Sequence, residues 1–278
     1  MKKIVVLLLF MAFSAVYAAE LPKFIEVSCG KVKIKLDHRK FWNINRVEYE
    51  GEMFGVDNTG SHYGFVHCIK GIKGFIGSGH KETGVAEKVD SIRFVIDGQA
   101  CEAAPKMNAK KSFFMEKVST IGTIKVTYSI ALEDDTLFER TNLYFTKASD
   151  IQHVYCSMHP WSTEFTKYYG LRPDGTFLSI DLVANNKVPA SEYMPKISLF
   201  NPKTGGALAT ALYFEHGKGK DARRMLWDRP YYRKDYIILE NFNPVPAGHH
   251  AGMSVKTVFF RSTPENFTKD AEKTFLIM

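Results

Sequence analysis

Ile124-Lys125-Val126-Thr127-Tyr128-Ser129-Ile130-Ala131-Leu132 sets an apolar side chain at every second position, with Ile124, Val126, Tyr128, Ile130 and Leu132 on one side. A helix would space such residues three and four apart, so this run is a strand with one buried face. The pattern breaks at Glu133-Asp134-Asp135 and resumes from Phe138 to Phe145, which reads as a second strand turning back on the first. Lys31 to Leu36 alternates charge and apolar strictly. Ile92, Phe94 and Ile96 alternate with Arg93, Val95 and Asp97 and stop at Asp97-Gly98, a hairpin-type turn.

Further strands are expected at 24–29, 43–49, 64–70, 113–118, 151–157, 177–183, 206–214, 236–240 and 253–261. About a dozen short strands separated by turns predict an all-β protein, a large antiparallel β-sandwich of supersandwich-like type. Helical signal is sparse. Thr263-Pro264-Glu265 gives an N-cap, a first-turn proline and an acid ahead of Phe267, Ala271 and Phe275, so one short C-terminal helix is expected. One further turn of helix is expected near 220–226.

The composition is that of an ordinary folded chain, 45% hydrophobic and 24% charged in 278 residues, which excludes wholesale disorder and a coiled coil. The 21 Phe and 13 Tyr favour strands. Residues 1–18 read as a signal peptide: Lys2 and Lys3 precede the apolar run Ile4–Phe13, and Val16-Tyr17-Ala18 makes a cleavage box. The run is shorter than the ~20 residues that span a bilayer. The expectation is an exported protein, periplasmic or extracellular, with residues 19–278 forming one domain and no membrane association after cleavage. Losing Lys2 and Lys3 takes the net charge from +7 to +5, a mild basic excess that suits an anionic substrate. Beyond Arg223-Arg224 no basic run is interleaved with stacking aromatics, so nucleic acid is not an expected partner. Cys29, Cys68, Cys101 and Cys156 are widely spaced, without a CxxC pair, and are compatible with two disulfides or with buried thiols. No metal motif and no GxSxG elbow is present, and no cofactor is expected.

Three segments carry candidate chemistry. Asp57 to Gly64 and Gly74 to Glu82 are glycine-rich, and each presents one imidazole, His62 and His80, with the phenol of Tyr63 alongside. Cys156-Ser157-Met158-His159-Pro160-Trp161 ends a strand with a histidine and a flat aromatic face, and Tyr169 and Arg172 follow. Trp227-Asp228-Arg229-Pro230-Tyr231-Tyr232-Arg233-Lys234-Asp235-Tyr236 interleaves planar rings with cations, as a surface for an acidic glycan would.

Two ends of the chain resemble the galactose-mutarotase-like β-sandwich group. Trp42-Asn43-Ile44-Asn45-Arg46-Val47-Glu48-Tyr49-Glu50-Gly51 looks like that group's opening strands and Tyr-x-Gly turn. Pro246-Ala247-Gly248 with Ser254 to Phe260 looks like its Pro-Gly turn and closing strand. The resemblance implies a carbohydrate partner, His159 as the general acid, and a catalytic glutamate near the last strands, where Glu240 stands. Large sandwiches of this kind also serve secreted polysaccharide lyases and carbohydrate-binding proteins. Together these readings predict a lyase-type enzyme for an acidic polysaccharide. In it, His62, Tyr63, His80, His159 and Tyr169 supply acid and base, and Trp161, Arg172, Trp227, Arg229, Tyr231 and Arg233 hold the substrate. The alternatives are a mutarotase or epimerase acting on a free sugar, and a non-catalytic glycan-binding or surface protein.

Overall fold

The structure is a computed structural model that describes residues 21–278 apart from 59, 71–72, 81–82, 217–221 and 240–243. The segment expected to be a signal peptide and Glu240 lie outside the described residues.

In chain order the strands are β1 (Phe24–Cys29), β2 (Val32–Asp37), β3 (Asn43–Tyr49), β4 (Glu52–Gly55), β5 (Val66–Ile69), β6 (Lys88–Ile96), β7 (Gln99–Cys101), β8 (Lys106–Ala109), β9 (Ser112–Ile121) and β10 (Ile124–Glu133). They continue as β11 (Thr136–Phe145), β12 (Ile151–Trp161), β13 (Lys167–Leu171), β14 (Phe177–Asp181), β15 (Lys187–Glu192), β16 (Lys196–Phe200), β17 (Gly206–His216), β18 (Ala222–Asp228), β19 (Arg233–Leu239) and β20 (His250–Arg261), before the helix α1 (Phe267–Ile277). Two ten-stranded sheets result. The first runs β15-β18-β19-β12-β4-β3-β2-β1-β8, with β5 also paired to β12; the second runs β14-β13-β16-β17-β20-β11-β10-β9-β6-β7. The fold is an all-β sandwich, as the alternation predicts. The pairing of β1 with β8 is parallel, Glu26 opposite Lys106, and departs from the expected antiparallel pattern.

The stretch that decides the fold behaves as it reads. In β10, Ile124, Val126, Tyr128, Ile130 and Leu132 are all buried, and the strand pairs with β11 from Ile124–Phe145 to Glu133–Thr136. Asp134 takes φ 50° at the turn, a conformation that Asp tolerates better than most residues. Between the sheets Ile34, Leu36, Ile44 and Val47 meet Met115, Ile130, Leu132 and Phe259 in one apolar layer. The C-terminal helix lies outside the second sheet, burying Phe267, Ala271 and Phe275 against Tyr169, Phe200 and Ala207. It begins at Phe267, later than the Thr263 cap predicts. Thr263 instead accepts backbone bonds from Asn266 and Phe267 in the preceding turn.

One expectation is overturned outright. The described part of the helical turn expected near 220–226 is instead β18, where Arg224, Leu226 and Asp228 point into the sandwich and Met225 and Trp227 point out. Arg224 holds Asp235 bidentately inside, at 2.6 and 2.9 Å, so two charges at strand spacing are buried as a pair rather than solvated on a helix. None of the four cysteines forms a disulfide, and Cys29, Cys68 and Cys156 are buried.

A β-bulge in β12 fixes which of its residues face the site. Tyr155 pairs with Ile238 and Ser157 with Ile237, so Cys156 is an extra residue. Val154 is inward before the bulge and His159 and Trp161 are inward after it, whereas Tyr155 and Met158 face outward.

Candidate functional site

The outer face of the first sheet carries a cleft of about 290 Å³. Its floor is made of outward side chains from four adjacent strands: Val66, Tyr155 and Met158, Met225 and Trp227, Lys234 and Tyr236. Its wall is the glycine-rich segment, which folds back over the sheet and brings Gly60, His62, Phe75 and His80 to the rim. Backbone bonds between His67 and Ile76 close the base of this fold-back. Gly77 and Gly79 have φ of 108° and 82°. A Cβ at Gly77 would stand 2.7 Å from the Phe65 carbonyl oxygen, and one at Gly79 would stand 2.9 Å from Lys40 Cδ. The glycines are therefore where the chain must pass close to its own neighbouring segments.

The imidazoles of His62 and His80 stack with centroids 4.1 Å apart. His80 leads on to Phe75, Phe75 to Tyr155, and Tyr155 to Tyr236, at centroid distances of 5.2, 5.9 and 5.2 Å, so one continuous aromatic wall encloses the cleft. The Nδ1 atom of His62 lies 3.0 Å from the Ser78 carbonyl oxygen and 3.1 Å from Lys40 Nζ. When Nδ1 carries the proton and donates it to Ser78, Nε2 keeps its lone pair as a base. Burial, with the neighbouring charges of His80, Lys40 and Lys234, lowers the His62 pKa to about 3, so the ring is neutral across the physiological range.

Lys234 is the other unusual group. It is buried, donates from Nζ to the His62 carbonyl at 2.5 Å, and lies 5.3 and 5.7 Å from the ring centres of Tyr232 and Tyr236. Burial and the nearby Lys40 hold its amine well below the ordinary lysine range. Burial likewise lowers Lys40. Burial raises the phenols of Tyr155 and Tyr236, which therefore keep their protons. Among the described lining residues there is no carboxylate. At the mouth, the Arg229 guanidinium stacks on Trp227, 4.2 Å from the ring centre, and the indole Nε1 donates to the Asn186 carbonyl at 3.2 Å.

Of the residues singled out in the sequence, His62, His80 and Trp227 line this cleft, with Arg229 against Trp227. The others lie elsewhere. Tyr63 is buried between the sheets, donating to the Val56 carbonyl, and burial keeps its pKa far above the ordinary value, so it has no access to a ligand. His159 is also fully buried, bonded to Glu139 of the second sheet and stacked on Trp161, which is equally enclosed. Arg233 points inward and donates to the carbonyls of Phe165, Arg229 and Thr163. Tyr169 is on the far side of the molecule, its hydroxyl 2.6 Å from Glu272 of α1. Arg172 forms an ion pair with Glu192. Tyr231 is exposed in the β18–β19 turn, where its carbonyl accepts from Asn58.

Lys40 and Tyr155 are members of the site that do not stand out as chemical candidates in the sequence, and Tyr232, Lys234 and Tyr236 belong to the third candidate segment without being singled out within it. The signal for these last three is the alternation Tyr232-x-Lys234-x-Tyr236, which sets one outward face on β19 and its approach.

No family model and no curated protein matches the chain. Solved structures do. An α-N-acetylgalactosaminidase from Bifidobacterium bifidum is similar over 91% of this chain and 38% of its own, with a TM-score of 0.56 at 9% identity. A protein of Synechocystis sp. PCC 6803 is similar over 91% of this chain and all of its own, with a TM-score of 0.51 at 8% identity. A putative aldose 1-epimerase from Escherichia coli K12 overlaps 86% of this chain and 99% of its own, with a TM-score of 0.49 at 10% identity. The two-sheet architecture and the first two of these neighbours agree on the fold: the chain is a β-sandwich of the kind they share.

Proposed function

We propose that the protein is a carbohydrate-active enzyme whose outer-face cleft performs acid–base chemistry on an acidic sugar, in the manner of a polysaccharide lyase. The observation that carries this is the composition of the cleft: two imidazoles, two amines and three phenols converge there, and its described lining offers no carboxylate. A glycosidase-type site needs a pair of carboxylates. A site built from cations and neutral bases instead suits a substrate that brings its own negative charge. The fold's neighbours include sugar enzymes, which agrees with a carbohydrate substrate.

In this reading the Lys234 ammonium holds the sugar carboxylate and makes the adjacent C5–H acidic. His62 Nε2, or His80 beside it, takes the C5 proton. The C5–H electron pair becomes the C4=C5 double bond, and the C4–O bond breaks. The leaving oxygen takes a proton from Tyr236, whose burial keeps it protonated. The phenolate recovers its proton from the imidazolium, so the enzyme ends as it began. Trp227 offers a stacking face to the next sugar, with Arg229 behind it. Export to the periplasm or the exterior is proposed on the N-terminal sequence and suits a polymer substrate.

The test is to incubate the mature protein with a panel of uronate polymers and oligomers and to follow the absorbance of the unsaturated product. Turnover that requires His62 and His80 is expected. Binding of uronates without any unsaturated product would remove the lyase step, and turnover of free neutral aldoses by polarimetry would favour an epimerase in its place.

A further inference from the structure

We propose that the cleft takes up its anionic sugar together with one proton from solvent, and that Lys234 receives it. This rests on the reading of the cleft as an acidic-sugar site.

The geometry that leads there is a buried amine with no counter-ion among the described residues. Lys234 is 2% exposed, donates to one backbone carbonyl and has tyrosine rings on two sides. An ammonium offers three donors, and a buried charge needs an opposite charge or a full set of acceptors. The described groups packed around it supply neither. From its own strand and the turn before it come Tyr232 and Tyr236; from β12 comes Tyr155; from the glycine-rich wall come His62 and His80; and from the turn after β2 comes Lys40, while Arg229 is stacked on Trp227. Asp235 and Asp228 of the neighbouring positions point to the opposite face, where Arg224 and Arg233 hold them. Among the described residues, every charge directed at Lys234 on this side is therefore positive, which favours the neutral form of the resting amine, the direction in which burial and Lys40 shift its pKa.

A sugar carboxylate entering the cleft reverses the balance. It is the opposite charge the site lacks, and it favours the ammonium form. The complex is then an ion pair formed from a neutral amine, a carboxylate and one proton, and that proton comes from the solvent. Neutral sugars bring no such charge and draw no proton. The cleft thus distinguishes acidic from neutral sugars through the protonation that each induces, and its affinity for acidic sugars falls as pH rises.

The experiment is calorimetric titration of the full-length mature protein at pH 8 with uronate oligosaccharides containing galacturonate, glucuronate or mannuronate, in buffers of differing ionisation enthalpy. Neutral disaccharides serve as controls. The expected result is a dependence of the observed heat on the buffer that corresponds to about one proton gained per uronate, with affinity falling about tenfold for each further pH unit. Lys40→Met is expected to keep most of this dependence and Lys234→Met to lose it. Uronate binding with no buffer dependence in the unmodified protein overturns the inference and leaves the acidic-sugar reading standing. Absence of binding by every uronate tested overturns both. The unmodified protein alone decides between these outcomes, so the test holds even if Lys234→Met does not fold.

Discussion

Glu139 on β11 and His159 on β12 meet inside the sandwich, and the hydroxyl of Tyr128 on β10 donates to the same carboxylate. Three groups that would look catalytic in an open cleft are here a bolt between the sheets, with His159 and Glu139 both buried. Removing one partner strands the others without water. Glu139→Ala is expected to lower unfolding stability by about 3–5 kcal/mol, read as a drop in the urea midpoint.

The outward histidines behave differently. His62→Ala and His80→Ala should each reduce uronate turnover by roughly 10²- to 10⁴-fold while changing the affinity for the sugar only a few-fold. His159→Ala should leave turnover per folded molecule unchanged and lower stability instead. Steady-state rates normalised to the folded fraction separate the two behaviours.

Trp227 and Arg172 make a second contrast. Trp227→Ala removes the face that Arg229 stacks on and should weaken binding of a uronate oligomer about tenfold, the equivalent of about 1.4 kcal/mol. Arg172→Ala breaks only an ion pair in which both partners keep contact with solvent, and should move neither affinity nor stability by more than about 1 kcal/mol. Titration calorimetry and a denaturant curve on each variant check both.

The pH dependence of stability follows from two imidazoles that the fold holds neutral, half-buried His62 and buried His67. Burial lowers His62 to about 3 and His67 to about 4, against about 6.5 for a histidine in the unfolded chain. Below about pH 6.5 the unfolded chain therefore binds protons that the folded one refuses. Stability from this source is complete above about pH 7 and declines steadily as pH falls toward about 4. Thermal midpoints measured across that window should fall. His67→Gln should flatten the decline, because it removes one of the two groups that must charge.

Much of this architecture is legible in the chain, and the reasons differ from place to place. The alternation of β10 and β11 and the apolar triplet of the last helix read correctly because one of their faces meets water and the other meets the core. The strand Ala222–Asp228 was hidden because its inward side chains include Arg224 and Asp228, whose charge imitates an exposed face until their partners Asp235 and Arg233 are seen. In the site, His62 and His80 are legible from glycine and histidine spacing. Lys40 and Lys234 are not, because the property that sets them apart is the lack of a neighbouring acid, and only the folded arrangement of distant segments shows that. His159 and Trp161 read as accessible because the strand is expected to end at Ser157; it runs on to Trp161, and the extra residue at Cys156 turns both side chains inward.

That extra residue leaves β12 one step away from a different strand made of the same side chains. If the second half of β12 slid by a single position, so that Cys156 lay opposite Ile237 and Pro160 opposite Arg233, the irregularity would vanish and every later side chain would change sides. An imidazole and an indole would then be offered to the cleft, and a methionine and a proline would be sent into the interior. A shift of hydrogen-bonding partners, with no residue replaced, is thus all that separates a sandwich that keeps this histidine as mortar from one that uses it as a tool.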